Sequence, residues 1–411
     1  MREGWKEVVL GDVLFKIVGG GTPSKAIDSY WNGDVYWCSV KDMTEESKYL
    51  YSTEDTITFE GLKNSSSNLI KRGTVVTATR MGLGRAFISG VDMAINQDLK
   101  ALYPNEKIDN IFLLYTILFN KDVIEALGSG ATVKGIKLET LKSIKFLLPP
   151  LETQRKIAKI LSNYDDLIEN NLKRIKILEE MAQQTFRNFA KNGSAKNWES
   201  KSLETLIDFH IGGGWGEEEL SSEFSESGYV IRGTDIDALK KGENSKVPHR
   251  FHKISNIRSR QLEDGDIIFE VSGGSSNEGV AKSFLITHEV LKFFNDKVIC
   301  ASFCKLIRLK DRSLSHFFYY FLQYLRESKT TEIYEKRSAS NIVNYNWEAF
   351  LKYQKILLPN PNEIKEFNDK VIKILKLTNL LGAKNQRLRE ARDILLPRLM
   401  MGLVDVHNID L

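Results

Sequence analysis

The chain has 411 residues, of which 42% are hydrophobic and 27% charged; this is enough apolar material for more than one packed core and gives no case for disorder. Its 58 Lys and Arg against 54 Asp and Glu leave a net charge of +4, which permits a local basic face without requiring one. Three cysteines exclude a disulfide framework, and neither a leader-like apolar segment nor a window of about 18 apolar residues is present, so a cytoplasmic protein without a membrane span is expected.

Read from its start, the chain gives Trp5, Leu10 and then Ile17-Val18-Gly19-Gly20-Gly21, and 193 positions later Trp198, Leu203 and His210-Ile211-Gly212-Gly213-Gly214. Val40-Lys41-Asp42-Met43 falls on Gly233-Thr234-Asp235-Ile236 at the same shift. Gly73-Thr74-Val75-Val76 falls on Gly265-Asp266-Ile267-Ile268 after a slip of one. Both pairs read as the beginnings of strands. Phe146-Leu147-Leu148-Pro149 returns as Ile356-Leu357-Leu358-Pro359, so the second copy carries extra residues, which belong in surface loops. A repeat this long lies far outside the period of solenoids, and each copy is a domain followed by something helical.

That helical part is residues 151–191, which contain neither Gly nor Pro. Its positions Ile157, Leu161, Tyr164, Ile168, Asn171, Ile175, Leu178, Ala182, Thr185 and Phe189 step by alternating fours and threes. This is a coiled-coil seam and needs a partner. Ile364, Phe367, Val371, Ile374, Thr378, Leu381, Asn385, Leu388, Leu395 and Leu399 follow the same rule, with Arg392 as a charged step and Pro397 expected to kink or end the helix. A helix of that length carries the chain roughly 60 Å. The tether at residues 191–197 recovers at most about 25 Å. The second helix therefore has to run back along the first. The expected fold is α+β: two similar globular domains joined by two long helices packed as an antiparallel coiled coil, with pseudo-twofold symmetry. Asn171 and Asn385, both near mid-seam, are expected to set register. Two domains held apart on this scale suit a reader of two DNA half-sites.

The globular copies supply candidate contacts. Gly19-Gly20-Gly21-Thr22-Pro23-Ser24-Lys25 is a glycine-rich turn whose amides suit a phosphate, and it leads into an aromatic stretch with Trp31 and Trp37, which also suit a small core. Lys25, Lys41 and Arg85 are candidates for phosphate contacts, and Arg80, Lys134, Arg232, Asn277 and Arg337 for base contacts. Ser275 joins Asn277 in a second-copy loop that answers the Arg80–Arg85 loop of the first. Catalytic signatures are missing: there is no Gly-Lys dipeptide for a phosphate-binding loop, and Gly82-Leu83-Gly84 is too short for a dinucleotide fingerprint. Val298 to Leu306 reads as one strand, on which Cys300 and Cys304 stand too far apart to share a metal, so no metal site is expected. Glu363 near a helix start needs only a capping role.

Several motifs together bear a family likeness. They are Gly20-Gly21-Thr22-Pro23-Ser24 with Tyr30-Trp31-Asn32-Gly33, Leu148-Pro149-Pro150-Leu151-Glu152-Thr153-Gln154 leading into Ile157-Ala158-Lys159-Ile160-Leu161, and Arg392-Asp393-Ile394-Leu395-Leu396-Pro397-Arg398-Leu399 with Gly402. In these, and across nearly its whole length, the sequence resembles the DNA-specificity subunits of type I restriction-modification systems. The resemblance implies target-recognition domains at 1–150 and 192–360, spacer helices at 151–191 and 361–405, and a short tail at 406–411. It implies a non-catalytic subunit that reads a bipartite, asymmetric sequence in double-stranded DNA. Two methyltransferase subunits dock on the helices, and restriction subunits complete the complex. S-adenosylmethionine, ATP and Mg would be held by those partners, with no cofactor in this chain. Two other readings, a self-contained nuclease or methyltransferase and a protein-binding scaffold, require respectively chemistry by the chain alone and DNA binding insensitive to salt.

Overall fold

A computed structural model describes residues 4–43, 48–130, 133–193, 198–273, 279–337, 342–407 and 409. The chain divides into two compact units, residues 1–169 with 388–411 and residues 170–387.

In the first unit Leu14–Gly19 pairs antiparallel with Leu99–Pro104, which continues to Val75–Ala78, Ala86–Ser89 and Tyr49–Leu50. Strand Val75–Ala78 is buried on both faces because both are covered. Val75 joins Phe112 and Tyr115 in the core on the helical side, whereas Val76 and Ala78 join Cys38, Met93 and Ile95 under a second sheet. In that sheet Trp31–Cys38 lies between Asp55–Ile57, antiparallel, and Met93–Ile95, parallel. Helix Asn110–Phe119 is started by Asp109, whose carboxylate accepts from the amides of Ile111 and Phe112 at 2.9 and 3.0 Å.

The second unit repeats this plan. Ile207–Gly212 pairs with Cys304–Leu309, followed by Ile267–Glu270 and Ser283–Leu285. Glu226–Ile231 lies between His249–His252, antiparallel, and Val298–Cys300, parallel. Ile267 and Phe269 face the helical core and Ile268 the other, the same two-sided burial as at Val75–Ala78. Each unit also closes its own ends with a short ribbon, Lys6–Val9 on Lys145–Leu148 and Glu199–Ser202 on Lys355–Leu358.

The long helices are Leu151–Gly193 and Pro361–Met400, and each unit holds one end of both. In the first unit the start of one packs on the end of the other, with Ile157, Leu161, Leu399 and Met400 in one core. In the second unit the order reverses, and Phe186 meets Phe367 with ring centroids 5.9 Å apart. The pairing is therefore antiparallel within each unit. Of the predicted seam, Ile157, Leu161, Ile168, Ile175, Phe367, Val371 and Leu381 are buried, and Leu178, Ile374 and Leu388 half-buried. The side chains of Asn171 and Asn385 meet in the buried seam, Nδ2 of the former donating to Oδ1 of the latter at 2.8 Å.

Four local expectations need correction. The buried seam passes through Asp165 and Phe186 where Tyr164 and Thr185 were expected. Asp165 is tolerated because Arg392 reaches it at 2.7 Å and the Tyr115 hydroxyl donates to it at 2.5 Å. Pro397 does not end its helix, which runs to Met400 and stops at Gly402 (φ +70°), short of residue 405. Val40–Asp42 and Gly233–Asp235 are single 3₁₀ turns that follow strands, held by Asp42 and Asp235 accepting from the amides of Ser39 and Arg232. The stretch from Val298 to Leu306 is two strands in different sheets, broken at residues 301–303. The three cysteines are buried and unpaired with one another, and among the described residues no cluster with metal-ligand composition occurs.

Candidate nucleic-acid interface

The glycine turns perform the same task in both units. Gly21 donates its amide to Ile95 O at 3.0 Å, and Gly214 donates to Cys300 O at 2.9 Å. A Cβ on Gly20 would stand 1.8 Å from Ile95 O, and one on Gly213 would stand 2.1 Å from Cys300 O. The glycines thus let one backbone cross against another, and the Gly21 and Gly214 amides are already engaged, which removes the simplest phosphate-cradle reading. Trp37 belongs to a small core, its indole N–H donating to Gly21 O at 3.0 Å, while Trp31 packs edge-on to it at 5.2 Å. Lys25 stays exposed with its ammonium 5.8 Å from the Trp31 ring centre.

Beyond the ends of the central strands each unit carries an irregular edge, and the two edges correspond. In the first unit Thr79 donates to Asp98 O at 2.7 Å, Ile136 donates to Thr79 O, and Gly135 bridges both Arg80 and Ser129. In the second, Val271 donates to Phe303 O at 2.9 Å, Tyr345 donates to Val271 O, and Asn344 pairs with both Ser272 and Lys336. The bridges of the first unit have become a three-stranded sheet of Ser272–Gly273, Val343–Tyr345 and Glu335–Arg337. By this correspondence Arg80 is replaced by Ser272, Ser129 by Lys336, Gly135 by Asn344 and Asp98 by Phe303.

The structure brings Arg80 and Lys134 to one edge, both exposed, with Lys134 next to the bridging Gly135. Arg80 is 54% exposed and stands 3.6 Å from the mostly buried carboxylate of Asp98, near enough to be steered and too far to be locked. Lys41 is exposed on the 3₁₀ turn whose Val40 approaches Gly82 of the Arg80 loop, and neither Lys41 nor Lys134 forms an ion pair with any described residue. Arg85 points elsewhere, lining a cavity of about 470 Å³ beside Tyr115, Lys121, Asp165 and Arg392. In the second unit Arg337 is exposed on the edge sheet. Arg232 is committed internally: its Nε and one terminal nitrogen donate to Asp235 at 2.9 and 2.6 Å, and the same terminal nitrogen donates to Lys246 O. Those bonds from Asp235 hold the Arg232 guanidinium above its ordinary range. Ser275 and Asn277 lie outside the described residues.

Sequence reasoning missed Asp98, Phe303, Lys336 and Asn344. Only the pairing of strands distant in sequence places them on the edge, and no local pattern announces it. At the helix end of the first unit, burial opposes the charge of Arg392, but Asp165 and Asp393 outweigh it and raise its affinity for the proton. Burial and then the neighbouring Asp165 push the Tyr115 phenol upward, so it remains a donor.

Comparisons with known proteins follow the same line. Residues 2–180 match the family described as the type I restriction modification DNA specificity domain. The type I restriction enzyme MjaIX specificity subunit of Methanocaldococcus jannaschii is 26% identical over 96% of this chain and 92% of its own length. The EcoR124I/EcoR124II specificity subunit of Escherichia coli is 34% identical over 40% of this chain and 41% of that one. The crystal structure of a type I restriction-modification S subunit from M. genitalium shares the fold, with a TM-score of 0.56 at 14% identity over 96% of each chain.

Proposed function

We propose, for a chain that belongs with the specificity subunits of type I restriction-modification systems, that each unit reads one half of a bipartite, asymmetric target in double-stranded DNA. The observation that carries this reading is the corresponding edge: one position in a duplicated fold presents Arg80 and Lys134 in one unit and Ser272, Lys336 and Asn344 in the other. Equal scaffolds with unequal edges suit two half-sites of unequal sequence. Exposed Lys25, Lys41, Lys134 and Arg337 supply backbone attraction, and Arg80 is the guanine-reading candidate of the first unit, since arginine matches guanine O6 and N7.

In this reading the chain performs no chemistry of its own. It docks two methyltransferase subunits on the paired helices and, through them, restriction subunits, and the partners bring S-adenosylmethionine, ATP and Mg. The helices act as the ruler between half-sites. Lengthening both by about two turns is expected to change the unspecified spacer and leave each half-site unaltered.

The test is a mobility-shift series on the full chain with its methyltransferase, using competing duplexes at several salt concentrations. The reading expects a sequence preference and an affinity that falls steeply with salt. Equal binding to all duplexes with the methyltransferase present would contradict it, as would DNA cleavage or methylation by the chain alone.

A further inference from the structure

In the second unit the edge carries a combination that the first lacks. Asn344 is exposed, and its Oδ1 accepts from the Ser272 hydroxyl at 2.8 Å. In this arrangement Oδ1 keeps one lone pair free, and Nδ2 remains a donor. The backbone of the same Ser272 donates to Phe303 O at 3.3 Å, and Phe303 is 64% exposed, among the most open large apolar side chains of the unit. Phe303 stands where the first unit has Asp98, and Ser272 where it has Arg80. Where the first edge has an arginine, a bridging glycine and a steering carboxylate, the second has a serine, an amide and an open aromatic ring. Lys336 and Arg337 on the adjoining strand place positive charge beside them.

An amide in this orientation matches one base edge. Nδ2 donates to adenine N7 while the free lone pair of Oδ1 accepts from adenine N6, a two-point match that guanine refuses because its O6 is an acceptor. An exposed phenyl ring in the major groove finds its apolar partner in the C5 methyl of thymine. We propose that Asn344, oriented by Ser272, together with Phe303 makes the second unit a reader of A·T pairs, Asn344 on adenine and Phe303 on a thymine methyl. This rests on the DNA-reading function proposed above and adds the base class that this unit selects.

The experiment selects duplexes from a randomised library with the full chain, alone and with its methyltransferase. The enriched duplex is then resynthesised with 7-deazaadenine for adenine or uracil for thymine in one half-site at a time. In the half-site assigned to the second unit, each replacement is expected to weaken binding about tenfold at one position. Asn344→Ala and Asn344→Asp should abolish the penalty for 7-deazaadenine, and Phe303→Ala the penalty for uracil. Both residues are exposed, and unchanged reading of the other half-site by the same variants shows that they fold. Selection by all variants identical to that of the unaltered chain would overturn the assignment and leave the DNA-reading function standing. No enrichment by the unaltered chain in either form would overturn both.

Discussion

The two units share the order of their common strands and the glycine crossing, yet they differ in the side chains they present. At the helix pair the first unit buries charge, Asp165 with Arg392 and Tyr115, whereas the second buries an aromatic cluster of Phe186, Phe317 and Phe367. At the edge the first presents Arg80 and Asp98 and the second Asn344 and Phe303. The lesson is that a duplicated backbone fixes where chemistry is presented, while the substitutions at those places decide which chemistry each copy presents.

The comparison breaks most severely where the two units agree. Gly20→Ala and Gly213→Ala each force a Cβ into a carbonyl oxygen, and each should cost about 3 kcal/mol or more. Gly212→Ala, where the added Cβ meets nothing within 4 Å, should be nearly silent, and chemical denaturation of the full chain separates the three. Next comes the buried pair. Asp165→Ala leaves Arg392 without its buried partner and should cost about 3 kcal/mol, with Asp165→Leu combined with Arg392→Leu recovering much of the loss. In DNA binding, Arg80→Ala should relax one position of one half-site by about 1 to 3 kcal/mol, while Lys41→Ala should weaken all duplexes alike and reduce the salt slope by about one charge.

The smallest expected effect separates the units by pH. Burial holds His210, His252 and His316 of the second unit below the ordinary value of 6.5. Their unfolded forms therefore bind protons that the folded forms refuse, and this contribution to stability is present above about pH 6.5 and lost as the pH falls through it. The first unit contains only His407, which is exposed. Hydrogen exchange at pH 7.5 and 5.5 should show amides of the second unit losing protection relative to those of the first, and equal loss in both would remove the distinction.

Much of this architecture was legible in the sequence because duplication writes it twice. The shift of 193 maps Leu14–Gly19 onto Ile207–Gly212 without a gap. The seam was legible from its spacing of threes and fours, except where polarity misled. Tyr164 reads as the better core residue than Asp165 until Arg392 and Tyr115 are seen to pair with that carboxylate. The Val40 and Gly233 turns failed as strand starts because Asp42 and Asp235 reach back to cap the preceding backbone, an interaction with no periodicity. The edge was half legible: Arg80, Lys134 and Arg337 stand out as charge in loops. Phe303 and Asn344 are far apart in sequence and meet only through Ser272.

The most direct measurement co-expresses this chain with its methyltransferase in a host free of DNA methylation and maps modified adenines across the genome. The account predicts one bipartite motif, two unlike half-sites around a spacer of fixed length. A single contiguous motif, or a stable complex that modifies DNA without regard to sequence, would contradict it.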